Sequence, residues 1–155
     1  MIETLETLGN VGDFVGGIAV IVTLAYLAVQ IRRSTRATRV ATLQQWVAMA
    51  ATVNSTLSAS PDFARLYREG CENYEDLQPH ERSQFMAFMF QNFNLFESLF
   101  LQAQHGEVDD AFFEAKMSTM LGGFAHLGVR QWWNKYAAPN FDPRFRQFVE
   151  RRLSE

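Results

Sequence analysis

Residues 11–31 of this chain read VGDFVGGIAVIVTLAYLAVQI, an almost unbroken apolar run closed by Arg32, Arg33, Arg36 and Arg39. As a helix rising about 1.5 Å per residue the run spans roughly 31 Å, the thickness of a bilayer's hydrocarbon core. A secretory leader would carry basic residues before the run and a small-residue cleavage site after it. Here Glu3 and Glu6 come before, the arginines come after, and no A-x-A site separates them from the run. The stretch therefore predicts a transmembrane helix. Asp13 and Gln30 fall near its two ends, where a polar group costs far less than at the midplane. Under the positive-inside rule the arginine flank stays in the cytoplasm, so the expected topology is N-terminus outside and C-terminal domain inside.

One face of this helix stands apart. Gly9, Gly12, Gly16, Ala19, Thr23, Tyr26 and Gln30 follow one another at steps of three and four, and Gly12 with Gly16 forms a GxxxG. Between helices in lipid there is no hydrophobic drive, so close backbone approach along small residues and hydrogen bonds between polar ones favour association. The stripe predicts self-association, while Phe14, Val15, Ile18, Ile21, Val22, Ala25 and Val29 on the opposite side suit lipid. An alternative use of the same stripe is an oligomeric channel lined by Asp13, Thr23 and Gln30.

From Ile31 to Ser60 there is neither Gly nor Pro, and Pro61 then ends the run. The anchor is expected to continue as a juxtamembrane helix over residues 32–60. Val40, Leu43, Val47, Ala50, Asn54 and Leu57 repeat at three and four, with Trp46 and Val53 alongside, and predict a seam for a partner helix from this chain or another copy. Arg32, Arg33, Arg36 and Arg39 are expected in the headgroup layer as a topology signal and as contacts to anionic lipid.

The stretch YLAVQIRRSTRA, residues 26–37, resembles the recurring start of an uncharacterised family of small bacterial proteins that have an N-terminal membrane helix followed by a helical domain. Anchors in that group end in a similar Tyr-Leu-Ala-x-Gln-Ile-Arg stretch with a nearby Thr-Arg. Trp132 and Trp133, with Phe141 and Phe145 downstream, are similar to the group's aromatic tail. The resemblance covers the anchor well and the rest loosely. It implies a bacterial inner-membrane location and carries no activity.

Past the anchor the pattern is helical throughout, with no strand alternation and no Asn-Gly hairpin signal. A short helix is expected from Pro61, ended by Gly70, and then a turn-rich CENYEDLQ that places Cys71 in a loop. A long helix follows over about 79–105, with Phe85, Phe88, Met89, Phe96 and Leu99 on one face and Met86, Phe90, Phe93, Phe100 and Leu101 widening it, stopped by Gly106. Gln91, Asn92, Asn94, Glu97, Ser98 and Gln102 argue against a second membrane span there. Asp109 or Asp110 caps a further helix carrying Phe113, Met117, Met120, Phe124 and Leu127, bent at Gly122 and Gly123 and ending near Tyr136. Adjacent on that helix, Trp132 and Trp133 lie about 100° apart and are not expected to share one core. A last helix, about 143–153, offers Phe145, Phe148, Val149 and Leu153 to the interior.

The expected fold class is all-α: a tail over 1–8, a transmembrane helix over 9–31, the juxtamembrane helix over 32–60 and a small cytoplasmic helical bundle over 61–155. The charge of −3 is segregated, with no acidic residue between Phe14 and Pro61, and a pI near 5.6 argues against nucleic-acid binding. One cysteine allows neither an internal disulfide nor a cysteine zinc site. Phosphate loops, G-x-G-x-x-G, G-x-S-x-G, H-E-x-x-H and di-iron Glu-x-x-His spacings are all missing. His80, His105 and His126 fall at a helix start, a helix end and a mid-helix position without ligand spacing. The sequence thus predicts no catalytic residues, no cofactor and no metal. Asn92 and Glu97, close to the apolar arc of the long helix, each need a partner. The expected function is a homo-oligomeric membrane scaffold or interaction module, with membrane lipids, further copies and another membrane protein as partners.

Overall fold

The computed structural model describes the backbone of residues 2–154 and the side chains of residues 16–154. Within that range the protein is all-α, with six α-helices and no strand: α1 Ile2–Ala59, α2 Pro61–Glu72, α3 Pro79–Gln104, α4 Asp110–Gly122, α5 Leu127–Trp132 and α6 Pro143–Ser154. The chain divides into two compact units, Met1–Val40 and Ala41–Glu155. In the first, every described side chain from Gly16 to Val40 is exposed. The second carries the core.

Local chemistry sets the helix starts. Ser60 accepts the N–H of Phe63 at 3.2 Å with Pro61 just inside α2, and Glu81 reaches back to the N–H of Gln78 at 3.0 Å ahead of α3. Asp109, rather than Asp110, caps α4, accepting the N–H of Phe112 at 3.1 Å. Gly106, at φ 71°, turns the chain out of α3.

α3 is the axis of the bundle. Phe85, Phe88, Met89, Phe93, Leu95, Leu99 and Phe100 are all buried along it, so the wide apolar arc is packed on more than one side. The Phe93 ring lies 5.0–6.4 Å from the rings of Phe96, Phe124, Trp132, Trp133 and Phe141. Offset and edge-on ring pairs at these separations add to the area that each ring buries.

Several sequence expectations are corrected here. Gly70 does not end α2, which runs through it to Glu72 and so places Cys71 in a helix, buried. A Cβ at Gly70 would fall 2.4 Å from the Phe85 ring, and one at Gly128 only 1.8 Å from the Gly70 carbonyl oxygen. The two glycines therefore let α2, α3 and α5 approach closely. The seam on α1 is rotated: Trp46 and Val53 are buried and Ala50 and Leu57 partly so, while Val40, Leu43, Val47 and Asn54 are exposed.

The expected single helix to Tyr136 is broken at Gly122. A 3-10 turn, Gly123–Ala125, precedes α5, and a π turn, Trp133–Ala137, widens its end. His126 consequently stands at the N-cap position of α5, without a side-chain capping hydrogen bond, instead of lying mid-helix. Trp132 and Trp133 are both buried, because core surrounds α5 on two sides: Trp132 packs edge-on against Phe90 and Trp133 stacks on Phe141 at an interplanar angle of 14°. Leu127 and Leu153, expected inside, are exposed.

Candidate functional site

The first unit presents its candidate residues on the surface of α1. Gly16, Ala19, Thr23, Tyr26 and Gln30 are all exposed, and a Cβ at Gly16 would meet nothing within 4 Å. The Thr23 hydroxyl donates to the Ala19 carbonyl at 2.8 Å, so its remaining capacity is as an acceptor. Gly9, Gly12 and Asp13 lie outside the residues whose side chains are described. Around the same helix the apolar side chains Ile18, Val20, Ile21, Val22, Leu24, Leu27, Val29 and Ile31 are exposed at 47–68%. At about 100° per residue they cover about 220° of the cylinder and leave the remaining arc to Gly16, Ala19, Thr23, Tyr26 and Gln30. By length and composition this helix can cross a membrane, and none of its apolar window is buried. Such a surface is consistent with membrane association.

Below it the arginines are not evenly spread. Arg32, Arg36 and Arg39, with Ile31 and Thr35, line a recess of about 440 Å³ along one side of α1. The Thr35 hydroxyl donates to the Ile31 carbonyl at 3.0 Å. No carboxylate occurs between Phe14 and Pro61 to neutralise this side from within the helix.

The second unit contains a cleft of about 470 Å³ between the 46–54 segment of α1 and helices α3 and α4. Trp46, Met89, Phe93, Phe96 and Met120 form its apolar wall, and Asn54, Asn92, Lys116 and Thr119 bring polar groups to it. The Trp46 indole N–H donates to the Leu95 carbonyl at 3.2 Å, which fixes the ring, and the Phe112 ring stands nearly perpendicular to it at 5.5 Å and 86°. The Lys116 ammonium lies over Trp46 at 5.5 Å and over Phe112 at 5.3 Å, where ring quadrupoles attract it. A cleft of this size with an apolar wall and a few polar groups suits a small molecule better than a macromolecule.

Titratable chemistry in the cleft is sparse. Tyr67 and Lys116 are the titratable side chains that line it. Burial pushes the Tyr67 hydroxyl well above its usual range, and burial likewise raises the neighbouring Cys71 thiol, the hydrogen bond from Tyr67 opposing it. A thiol shifted this way is a poor nucleophile at neutral pH. Among the described residues no three of His, Cys, Asp and Glu come together as a metal site requires.

Of the two polar residues singled out on α3, Glu97 is structural: its carboxylate accepts the N–H of Asp142 at 2.5 Å, tying α3 to the start of α6. Asn92 lines the cleft. The sequence pattern passed over Trp46 and Lys116 as a pair. The signal was present, since Lys116 follows Phe112 by one helical turn and Trp46, Ala50, Val53 and Leu57 repeat at four, three and four. Compared with protein-family models, curated proteins and solved structures, the chain matches none.

Proposed function

We propose that this chain is a single-span protein of the bacterial inner membrane, N-terminus outside, whose helical domain serves in the cytoplasm as a homo-oligomeric scaffold or interaction module and not as a catalyst. The observation that carries the reading is the exposure of large apolar side chains over most of the helix circumference between Gly16 and Ile31. A helix with so broad an apolar surface needs a large core or lipid to cover it, and none of its apolar window is buried among the described residues. The arginines at its end give the orientation. The resemblance of residues 26–37 to small bacterial proteins with membrane anchors supports the same location.

Self-association is read from the side of Gly16, Ala19 and Thr23, where small side chains let a second helix come close. Cysteine crosslinking in native membranes tests it, in a Cys71→Ala background. Ala19→Cys and Thr23→Cys are expected to give crosslinked dimers under oxidation, whereas Val22→Cys and Val29→Cys stay monomeric. Monomer at every position, or equal crosslinking at all four, contradicts the scaffold reading.

A further inference from the structure

We infer that the arginine recess of α1 is a seat for one anionic glycerophospholipid of the inner leaflet, with the phosphate at Arg32 and Arg36 and an acyl chain lying along Ala28, Ala25 and Ile21. The inference rests on the membrane-anchor reading and adds a ligand to it. A topology signal needs only positive charge near the end of a span, on any side. Here three of the four arginines share one side, and Arg33 lies about 100° round the helix from Arg32. Counting about 100° per residue, Arg32, Arg36 and Arg39 fall within about 60° of one another, on the same side as Ile21, Ala25 and Ala28 and opposite Ala19, Thr23 and Gln30.

Three features fit a lipid on that side. The recess of about 440 Å³ is bounded by those guanidinium groups and by Ile31, so charge and apolar surface meet in it. Ala25 and Ala28 are small, while Leu24 and Val29 beside them are large and exposed, which leaves a shallow trough running up the helix from the recess. The absence of any carboxylate in the sequence between Phe14 and Pro61 makes the side complementary to an anion. Guanidinium forks bind phosphate oxygens in bidentate fashion, which selects a phosphate-bearing anionic headgroup over a zwitterionic one whose own cation competes. Lipid on this side also leaves the small-residue face clear for a second copy.

Native mass spectrometry of the full chain, released from mild detergent after titration with phosphatidylglycerol or phosphatidylcholine, tests the seat. Each correctly placed cation is worth roughly fivefold in binding at an anionic surface. Wild type is expected to retain phosphatidylglycerol in preference to phosphatidylcholine, and Arg32→Gln with Arg36→Gln to reduce retention by at least about tenfold. The deciding variant is Arg36→Gln combined with Thr38→Arg, which keeps the net charge but moves a guanidinium to the far side of the helix. About fivefold weaker retention in that variant supports the seat; undiminished retention means that only net charge matters and overturns it. Release of the lipid by excess inorganic phosphate also overturns it, by showing a site for the free anion. All these side chains are exposed, so the thermal unfolding of the bundle should not move. A chain that fractionates as soluble removes the anchor reading itself, whereas an anchored chain with face-independent binding removes only the lipid seat.

Discussion

Gly16 and Gly128 are both helical glycines, yet one faces open space and the other faces a backbone carbonyl. A methyl group added at Gly16 or Gly17 meets nothing within 4 Å, whereas at Gly128 it would sit 1.8 Å from the Gly70 oxygen and 2.8 Å from the Tyr74 nitrogen. At Gly70 and Gly128 in the bundle, glycine lets helices of the same chain touch, and the requirement is already met. At Gly16 and Gly17, the described glycines of the first unit, the same residue type meets no such requirement. Helix-favouring residues would serve an isolated helix better, since each internal glycine costs about 1 kcal/mol against alanine. Small residues there fit the association proposed above, and the surrounding apolar side chains are consistent with membrane association.

This contrast can be broken most forcefully from the bundle side. Phe93→Ala empties the centre of the aromatic cluster and is expected to cost about 3–5 kcal/mol in denaturant unfolding. A loss below about 1 kcal/mol would mean that the rings around it are not a packed core. Gly128→Ala should follow, at about 3 kcal/mol, because backbone rather than a flexible side chain must move. Gly16→Ala is its counterpart and should leave bundle unfolding unchanged within about 0.5 kcal/mol. If the two alanines behave alike, the distinction drawn between the glycines is wrong.

A finer comparison sets Trp46 against Trp132. The Trp46 N–H donates to Leu95, while the buried Trp132 N–H has no hydrogen-bond partner. Trp46→Phe leaves the Leu95 carbonyl without this donor and should cost about 1 kcal/mol beyond the loss of ring volume. Trp132→Phe loses volume but also relieves an unpaired donor, so its penalty should be the smaller of the two. Matching losses in thermal melts would show that the Trp132 N–H finds a partner in solution.

The smallest effect is the pH response at the start of α6. The Arg144 side chain and backbone hydrogen-bond Asp142 and draw its carboxyl from an ordinary 3.8 down to about 2. A carboxyl lowered on folding contributes stability above its unfolded value, and that contribution fades as pH falls through about 2. Thermal midpoints should therefore decline between pH 3.8 and about 2, and Asp142→Asn should flatten this part of the curve. An unaltered curve in the variant assigns the acid response to other carboxylates, such as Glu75 beside Lys135.

How much of this was legible in the sequence depended on whether the signal was local. The apolar run, the helix start at Pro61, the cap at Asp109 or Asp110 and the wide arc of α3 are written in neighbouring residues, and the helices they imply are present. Gly70 reads locally as a helix stop, because nothing nearby announces that Phe85 and Gly128 will close on it. The bend expected at Gly122 and Gly123 is a full break, and that and the π turn at Trp133 have the same origin. Both let two adjacent tryptophans reach a core that wraps α5, which no count of residues per turn could supply. On α1 the periodicity allowed two seams one residue apart, and burial of the large Trp46 ring decided between them. The cleft beside it depends on that choice, so Lys116 and Asn92 came together only in three dimensions.

Alkaline carbonate extraction of membranes from cells making the full chain is the most direct test of whether the apolar segment of α1 lives in a bilayer. The protein should stay in the membrane pellet through the carbonate wash and come away only with detergent. Recovery in the soluble fraction before any detergent is added would contradict the anchor, and with it the orientation, the subunit contacts and the lipid seat.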